Sequence, residues 1–305
     1  MKKVLMKDIA QKANVTLATV SYVLNNVEGQ TISGETRERI FKIARELGYV
    51  PNLTARALAS KKSGLIGIMV VKNSTHFKPW KDFLYFKFIN EVEVLLKKSG
   101  YHVLIASVDT SRPEFDIILQ RELDGVFLVD VCEDAFYKIS RRFNVPIILI
   151  DSYLEDDYFT KIVPDFEAAI AKAKELLNNQ YGFLIADKVN NTGSAEKIKE
   201  FSGLSEKDIL FADKEENIIE FLKERKNQKG IVINEYLAML AARHTDHQAI
   251  AVVCTCGSSS LLPEGIKKVN FNENKSEIAV DIMLSYIDKH YLKEKNKYKL
   301  IEIKA

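Results

Sequence analysis

MKDIAQKANVTLATVSYVLN, residues 6–25, reads as a short helix, a tight turn and a second helix. Asp8 can cap the first helix while Ile9 and Ala10 face inward, and the chain breaks at Ala13-Asn14-Val15, where Asn14 is among the few non-glycine types that tolerate positive φ. Thr16 then suits the N-cap of the second helix. Val20, Val23, Leu24 and Val27 recur at spacings of three and four and make an inner stripe, while Leu17, Ala18, Ser21, Tyr22 and Asn25 share the other face. Such a stripe can hold the helix on a small scaffold while the opposite face enters a DNA major groove from its N-terminal end. A plain helical hairpin within a bundle fits the same pattern.

Residues 32–49, ISGETRERIFKIARELGY, predict a third helix with Ser33 at its start, an inner face of Ile40, Ile43, Ala44 and Leu47, and Gly48 as its stop. Together these stretches make an all-α domain over residues 1–50. The segment after it, PNLTARALA at residues 51–59, is too short to be stable as a lone helix in water. KDIA with ATVSYVLN, ETRERI with ELGYVPN, and ARAL before an apolar strand together resemble the LacI/GalR family of bacterial transcriptional regulators, which is lactose/galactose repressor-like. The resemblance is dense over residues 4–70 and is an order of elements with scattered matches beyond.

That resemblance implies that residues 51–63 are a hinge helix and linker that folds when a dimer sits on its operator. Leu58 would be the minor-groove wedge, with Ala55 and Ala59 allowing close approach. It also implies base reading by Leu17, Ala18 and Tyr22. The family commonly has arginine after Val20-Ser21, suited to a bidentate contact with guanine, so Tyr22 implies an unusual half-site. Thr16, Ser21, Asn25 and Thr36 are candidates for phosphate contacts, because short hydroxyl and amide groups can position a helix against the backbone. The loop over residues 26–30 is slightly longer than usual for the family.

The charge supports this division. Residues 1–62 hold 11 Lys and Arg against 5 Asp and Glu, leaving 33 against 37 in the rest of a chain whose overall charge is +2. Lys2, Lys3, Lys7, Arg56, Lys61 and Lys62 are the expected contributors to phosphate attraction, which gives affinity and salt dependence without sequence information. A length of 305 residues with 47% apolar residues allows two or three domain cores. No apolar stretch follows Met1-Lys2-Lys3 as a signal peptide and no run reaches membrane-spanning length, so a cytoplasmic protein with no membrane partner is expected. Three cysteines, Cys132, Cys254 and Cys256, suit a reducing compartment.

From Gly64 onward, apolar runs at 65–71, 103–107, 126–130, 147–151, 183–187, 231–234 and 249–254 alternate with helical patterns at 81–98, 114–123, 134–143, 165–178, 194–202, 215–227, 235–244 and 274–292. Continuous apolar strands alternating with helices predict parallel sheets covered on both faces. The fold class expected is α/β, an all-α helix-turn-helix domain followed by two doubly wound parallel-sheet subdomains. The family resemblance implies the same periplasmic-binding-protein-like core, closing on a small effector. The expected division of the core, 64–305, is an N-subdomain of about 64–162 plus 273–292 and a C-subdomain of about 163–272 plus 296–305. Crossovers are expected near 162–165, 265–275 and 293–298.

Against the family pattern, the loop after the first strand, Lys72-Asn73-Ser74-Thr75-His76-Phe77, matches only at Ser74 and Phe77. Lys197 stands where the family has a sugar-clamping arginine, keeping the charge but losing the planar fork. Asn234-Glu235 replaces an Asn-Asp pair, and an acidic residue is missing from residues 254–260, while Asp151 and Asp165 match acidic positions. The effector candidates are therefore Ser74, Asp151, Lys197, Asn234 and Glu235. Gly257-Ser258-Ser259-Ser260 fits an anion-binding loop or an ordinary polar loop; His244, His247, Cys254 and Cys256 fit no standard zinc spacing. The aromatic run from Phe77 to Ile89 exceeds what one helix face buries in its own core; the family resemblance, which places the corresponding helix in the dimer interface, implies a dimer contact, and a cap over the cleft mouth fits the same run.

These residues predict a sequence-specific DNA-binding transcriptional regulator, a homodimeric repressor of a carbohydrate or other metabolic operon, with a sugar or phosphorylated metabolite as effector. No catalytic residue, metal or cofactor is expected. Two alternatives stay open: a repressor controlled without a small effector or by a partner protein, its sugar site vestigial, and an enzyme core fused to a DNA-binding head.

Overall fold

The structure, a computed structural model, describes residues 4–24, 30–49, 62–72, 79–109, 121–289 and 297–304. Asn25, Val27, the hinge with Ala55, Arg56 and Leu58, Ser74, and nearly all of the helix expected at 114–123 lie outside the described residues. The chain separates into two compact units, Met1–Ser63 and Gly64–Ala305.

In the first unit, α1 (Met6–Ala13), α2 (Leu17–Leu24) and α3 (Gly34–Glu46) surround a core in which Ile9, Val20, Val23 and Ile40 are fully buried. Asp8 sits in the first turn of α1 and caps it from within, its Oδ2 accepting the Leu5 N–H at 2.7 Å. Asn14 has φ 52°, the left-handed conformation that ends α1 and turns the chain toward α2. Thr16 Oγ1 accepts the Thr19 N–H at 3.1 Å and Ser33 Oγ accepts the Thr36 N–H at 3.3 Å, so each later helix begins on a hydroxyl cap.

The second unit runs β1 (Leu65–Lys72), α4 (Pro79–Lys98), β2 (His102–Asp109), β3 (Gly125–Val129), α5 (Glu133–Ser140), β4 (Ile147–Ile150), β5 (Thr160–Pro164), α6 (Phe166–Leu176), β6 (Phe183–Asp187), α7 (Thr192–Ser202), β7 (Ile209–Ala212), α8 (Glu215–Lys223), β8 (Gly230–Ile233), α9 (Glu235–Ala241), β9 (Ile250–Cys254), β10 (Lys267–Asn270), α10 (Lys275–Ile287) and β11 (Tyr298–Ile301). Two parallel sheets result, a six-stranded one in the order β11-β5-β4-β3-β1-β2 and a five-stranded one in the order β10-β9-β8-β6-β7. Buried on both faces, β3 and β4 expose no residue, which is why they read as unbroken apolar runs. Among the described residues no helix is long and apolar enough to cross a membrane.

The C-terminal strand corrects the expected division. Residues 296–305 are expected in the second subdomain, yet β11 pairs in parallel with β5, from Tyr298 opposite Lys161 to Ile301 opposite Pro164. Ile301 packs into the core of the first sheet, and only at Ile303, bridged to Phe271, does the chain reach the second. The third crossing therefore lies at 301–303 instead of 293–298. The physical reason is register: β5 carries an unpaired edge that β11 satisfies before the chain crosses.

Phe127 is fully buried in the first core and meets the Phe88 ring edge-on, centroids 6.2 Å apart. Phe127→Ala should cost this unit about 3–5 kcal/mol in urea unfolding followed by far-ultraviolet circular dichroism. A loss under about 1 kcal/mol would mean that this core is not packed as described.

Candidate functional site

Capping and burial together decide what α2 offers outward. With Val20 and Val23 turned into the core, Leu17 is 54% exposed, Tyr22 37% exposed and Ala18 also exposed, on one face beginning at the capped N-terminus. Thr16 and Thr36 are engaged in the caps of α2 and α3, and Ser21 is half-buried on α2. The Lys12 ammonium ties α1 to the end of α3 through Glu46 at 2.9 Å, which lowers the Glu46 carboxyl below its ordinary range by that hydrogen bond and charge. An exposed apolar-and-phenol face on a rigidly capped helix can enter a groove and contact base edges without desolvating a charge.

In the second unit a cavity of about 70 Å³ lies where strand ends converge, lined by Tyr85, Asp130, Asp151, Asp187, Asn234 and Lys275 among others. Asp130, Asp151 and Asn234 directly follow β3, β4 and β8, and each has positive φ, at 51°, 53° and 98°. Non-glycine residues held in that region concentrate where structure over-determines them. Tyr85 Oη donates to Asp130 Oδ2 at 2.8 Å; burial first, then the Asp130 charge, raises the phenol well above its ordinary pKa and keeps it a donor. Lys275 Nζ pairs with Asp151 Oδ2 at 2.6 Å.

The expected effector residues divide. Asp151 and Asn234 line this cavity, although Asn234 Oδ1 is also the cap of α9, accepting the Tyr236 N–H at 2.7 Å. Lys197 does not reach it. Its Nζ sits 2.8 Å from Glu200 and it lines a separate, open cavity of about 1020 Å³ with Asp165, Phe201 and Tyr298. The one-turn spacing to Glu200 on α7 gives the ammonium a nearer partner than any cleft group. Glu235 is also turned away: it is buried and accepts the N–H groups of Cys256 and Ser258, each at 2.8 Å. Of the amides at the loop 257–260, that of Ser258 is therefore already taken. Asp165 is the cap of α6, accepting the Ala168 N–H at 3.0 Å.

Asn190 and Asn191, which the sequence reading did not single out, reach Asp130 from the loop after β6. The only signal for them was an Asn-Asn pair ahead of the helix at 194–202. Of the aromatic run, Tyr85 and Phe88 are buried in the core of their own sheet, whereas Phe86 is 68% exposed.

Residues 5–52 match the family model described as bacterial regulatory proteins, lacI family. Over 284 residues the chain is 25% identical to catabolite control protein A of Staphylococcus aureus, covering 88% of this chain and 82% of that protein. It is 28% identical over 176 residues to the Staphylococcus epidermidis protein of the same name, spanning half of that protein's length. The solved structure of the Lac repressor dimer bound to operator and the anti-inducer ONPF superposes with a TM-score of 0.72 at 19% identity, over 99% of this chain and 97% of that one, a likeness of fold.

Burial, and next the Glu235 charge, push the thiols of Cys254 and Cys256 up to about 12, while Cys132 is half-exposed. A thiol with its pKa raised to about 12 is protonated at pH 8 but for roughly one part in ten thousand. A chromogenic disulfide reagent at pH 8 should therefore label Cys132 promptly and the other two only on unfolding; rapid release of three equivalents would contradict this burial.

Proposed function

Because the chain belongs to the LacI family and is a DNA-binding transcription regulator, we propose that it works as a homodimeric repressor in the cytoplasm. It reads two operator half-sites about one helical turn apart through paired Leu17-Ala18-Tyr22 faces. The observation that carries this reading is the coincidence of the family match over 5–52 with the exposed N-terminal face of α2. Thr16, Ser21, Asn25 and Thr36 contact phosphates beside the basic residues of this unit, Arg56 among them. Leu58 wedges the central step, with Ala55 permitting the approach. Phe86 on α4 contributes to the contact between protomers.

The core supports two modes of control. In the first, a sugar or phosphorylated metabolite enters the cleft and shifts operator affinity. In the second, no small effector is needed or a partner protein takes its role. The cavity of about 70 Å³ at the strand ends favours the second, since small-molecule sites commonly run to about 300–1,000 Å³, whereas the open cavity of about 1020 Å³ beside Lys197 has the room the first requires. With Lys197 and Glu235 engaged elsewhere, Ser74, Asp151 and Asn234 remain as the cleft groups for a guest. The relatives named above are regulators, which weighs against an enzyme core.

Selection of bound sites from random duplex DNA at rising salt tests the reading. A near-palindromic motif is expected; the absence of any motif would overturn it. Tyr22→Arg should shift the preferred base at one symmetric pair of positions by about tenfold or more, and an unchanged profile would remove Tyr22 from the reading face. Leu58→Ala should weaken specific binding far more than non-specific binding; equal losses on both would remove Leu58 as the wedge.

A further inference from the structure

The cleft is already bridged by the chain itself. Asn190 and Asn191 belong to the second subdomain and Asp130 to the first, and the N–H groups of both asparagines donate to Asp130 Oδ1, at 3.0 and 3.2 Å. Asn190 Nδ2 donates further to the Val71 carbonyl at 2.8 Å and to Asp130 Oδ2 at 3.0 Å. Asn191 is fastened as firmly, its Nδ2 donating to the carbonyls of Val131 and Tyr153 at 2.9 and 3.0 Å while its Oδ1 accepts the Tyr153 N–H at 3.0 Å. A separate tie runs from Lys87 on α4 to the Cys256 carbonyl of the second subdomain at 2.9 Å.

These partners are the strand-end carboxylate and carbonyls that a polar guest between the sheets would need. Satisfying them from within leaves a cavity of about 70 Å³ at these strand ends. We propose that the Asn190-Asn191 loop is an internal latch that holds the core closed with no guest bound. A ligand shifts an equilibrium only by its differential affinity for the two arrangements. A guest that competes for Asp130 must break the Asn190 contacts, so it opens the core where a guest bridging an empty cleft would close it. The latch concerns the core alone; its bearing on operator affinity rests on the regulator reading above.

Hydrogen exchange of the full chain with nothing added tests this directly. The amides of Asn190 and Asn191 should exchange about 100-fold or more slowly than unprotected amides. Exchange at the unprotected rate would overturn the latch. Spin labels at Lys138→Cys on α5 and Lys223→Cys on α8, both exposed positions, in a Cys132→Ser background and diluted with excess unlabelled chain so that only distances within a protomer are read, should give one narrow distance without ligand. Asp130→Ala or, where that variant fails to fold, Asn190→Ala should broaden it toward longer values; identical distributions would overturn the proposal. Both readouts are made without DNA. A latched core with no selected motif would sink the regulator reading and keep the latch, and a selected motif with an open core would do the reverse.

Discussion

A carboxylate left with 1% exposure at the end of β3 must find donors for both oxygens, because an unpaired charge so far from water is costly. Asp130 meets that demand from two directions. Tyr85 brings a phenol from α4 in its own subdomain, and the Asn190-Asn191 loop brings two backbone amides and a side-chain amide from the other. Asp130 can be reached so only because its φ of 51° turns the chain as β3 ends. The seating of α4, the course of the loop after β6 and the approach of the two subdomains thus depend on one buried charge.

Much of the architecture was legible because its signals are local. Asn14 at φ 52°, the caps at Thr16 and Ser33 and the stop at Gly48 are chemistry between neighbours, and the residues that supply them are few. The apolar strands β1, β3, β4, β6, β8 and β9 showed for a different reason, since burial on both faces removes every polar interruption. Strands β5, β7 and β10 were missed. Lys161 and the lysines of β10 break the apolar run, so only pairing with a neighbour identifies those two, while β7, half-buried at the sheet edge, was an apolar run passed over between two helical patterns. The same non-local pairing put β11 in the first sheet against expectation.

The candidate effector set was less legible than the fold. Motif position placed Lys197 and Glu235 on suitable elements but could not say where their side chains find partners. For Lys197 the partner is Glu200, one turn along α7; for Glu235 it is a pair of amides in the loop after β9. Both choices follow from competition: an ammonium takes the nearest carboxylate, and a buried carboxylate takes the amides that desolvation leaves free. Asn190 was invisible for the complementary reason, since its partners lie at residues 71 and 130, far away in sequence.

Asp151 and Asn234 line the cavity, yet their presence alone does not argue for a guest. Each follows directly on a buried parallel strand and takes positive φ, a conformation that asparagine and aspartate adopt more readily than other side-chain-bearing residues. Each also has structural employment, Asp151 with Lys275 and Asn234 as the cap of α9. A strand end that needs both a left-handed turn and a hydrogen-bonding side chain keeps Asp or Asn whether or not anything binds between the sheets. Much of the polarity of this cleft is therefore accounted for by its backbone, and a guest has to be argued from room and from free hydrogen-bonding groups; the Asn190-Asn191 loop takes up those of Asp130, while Asp151 Oδ1, buried at the cavity with no hydrogen-bond partner, is the acceptor left open.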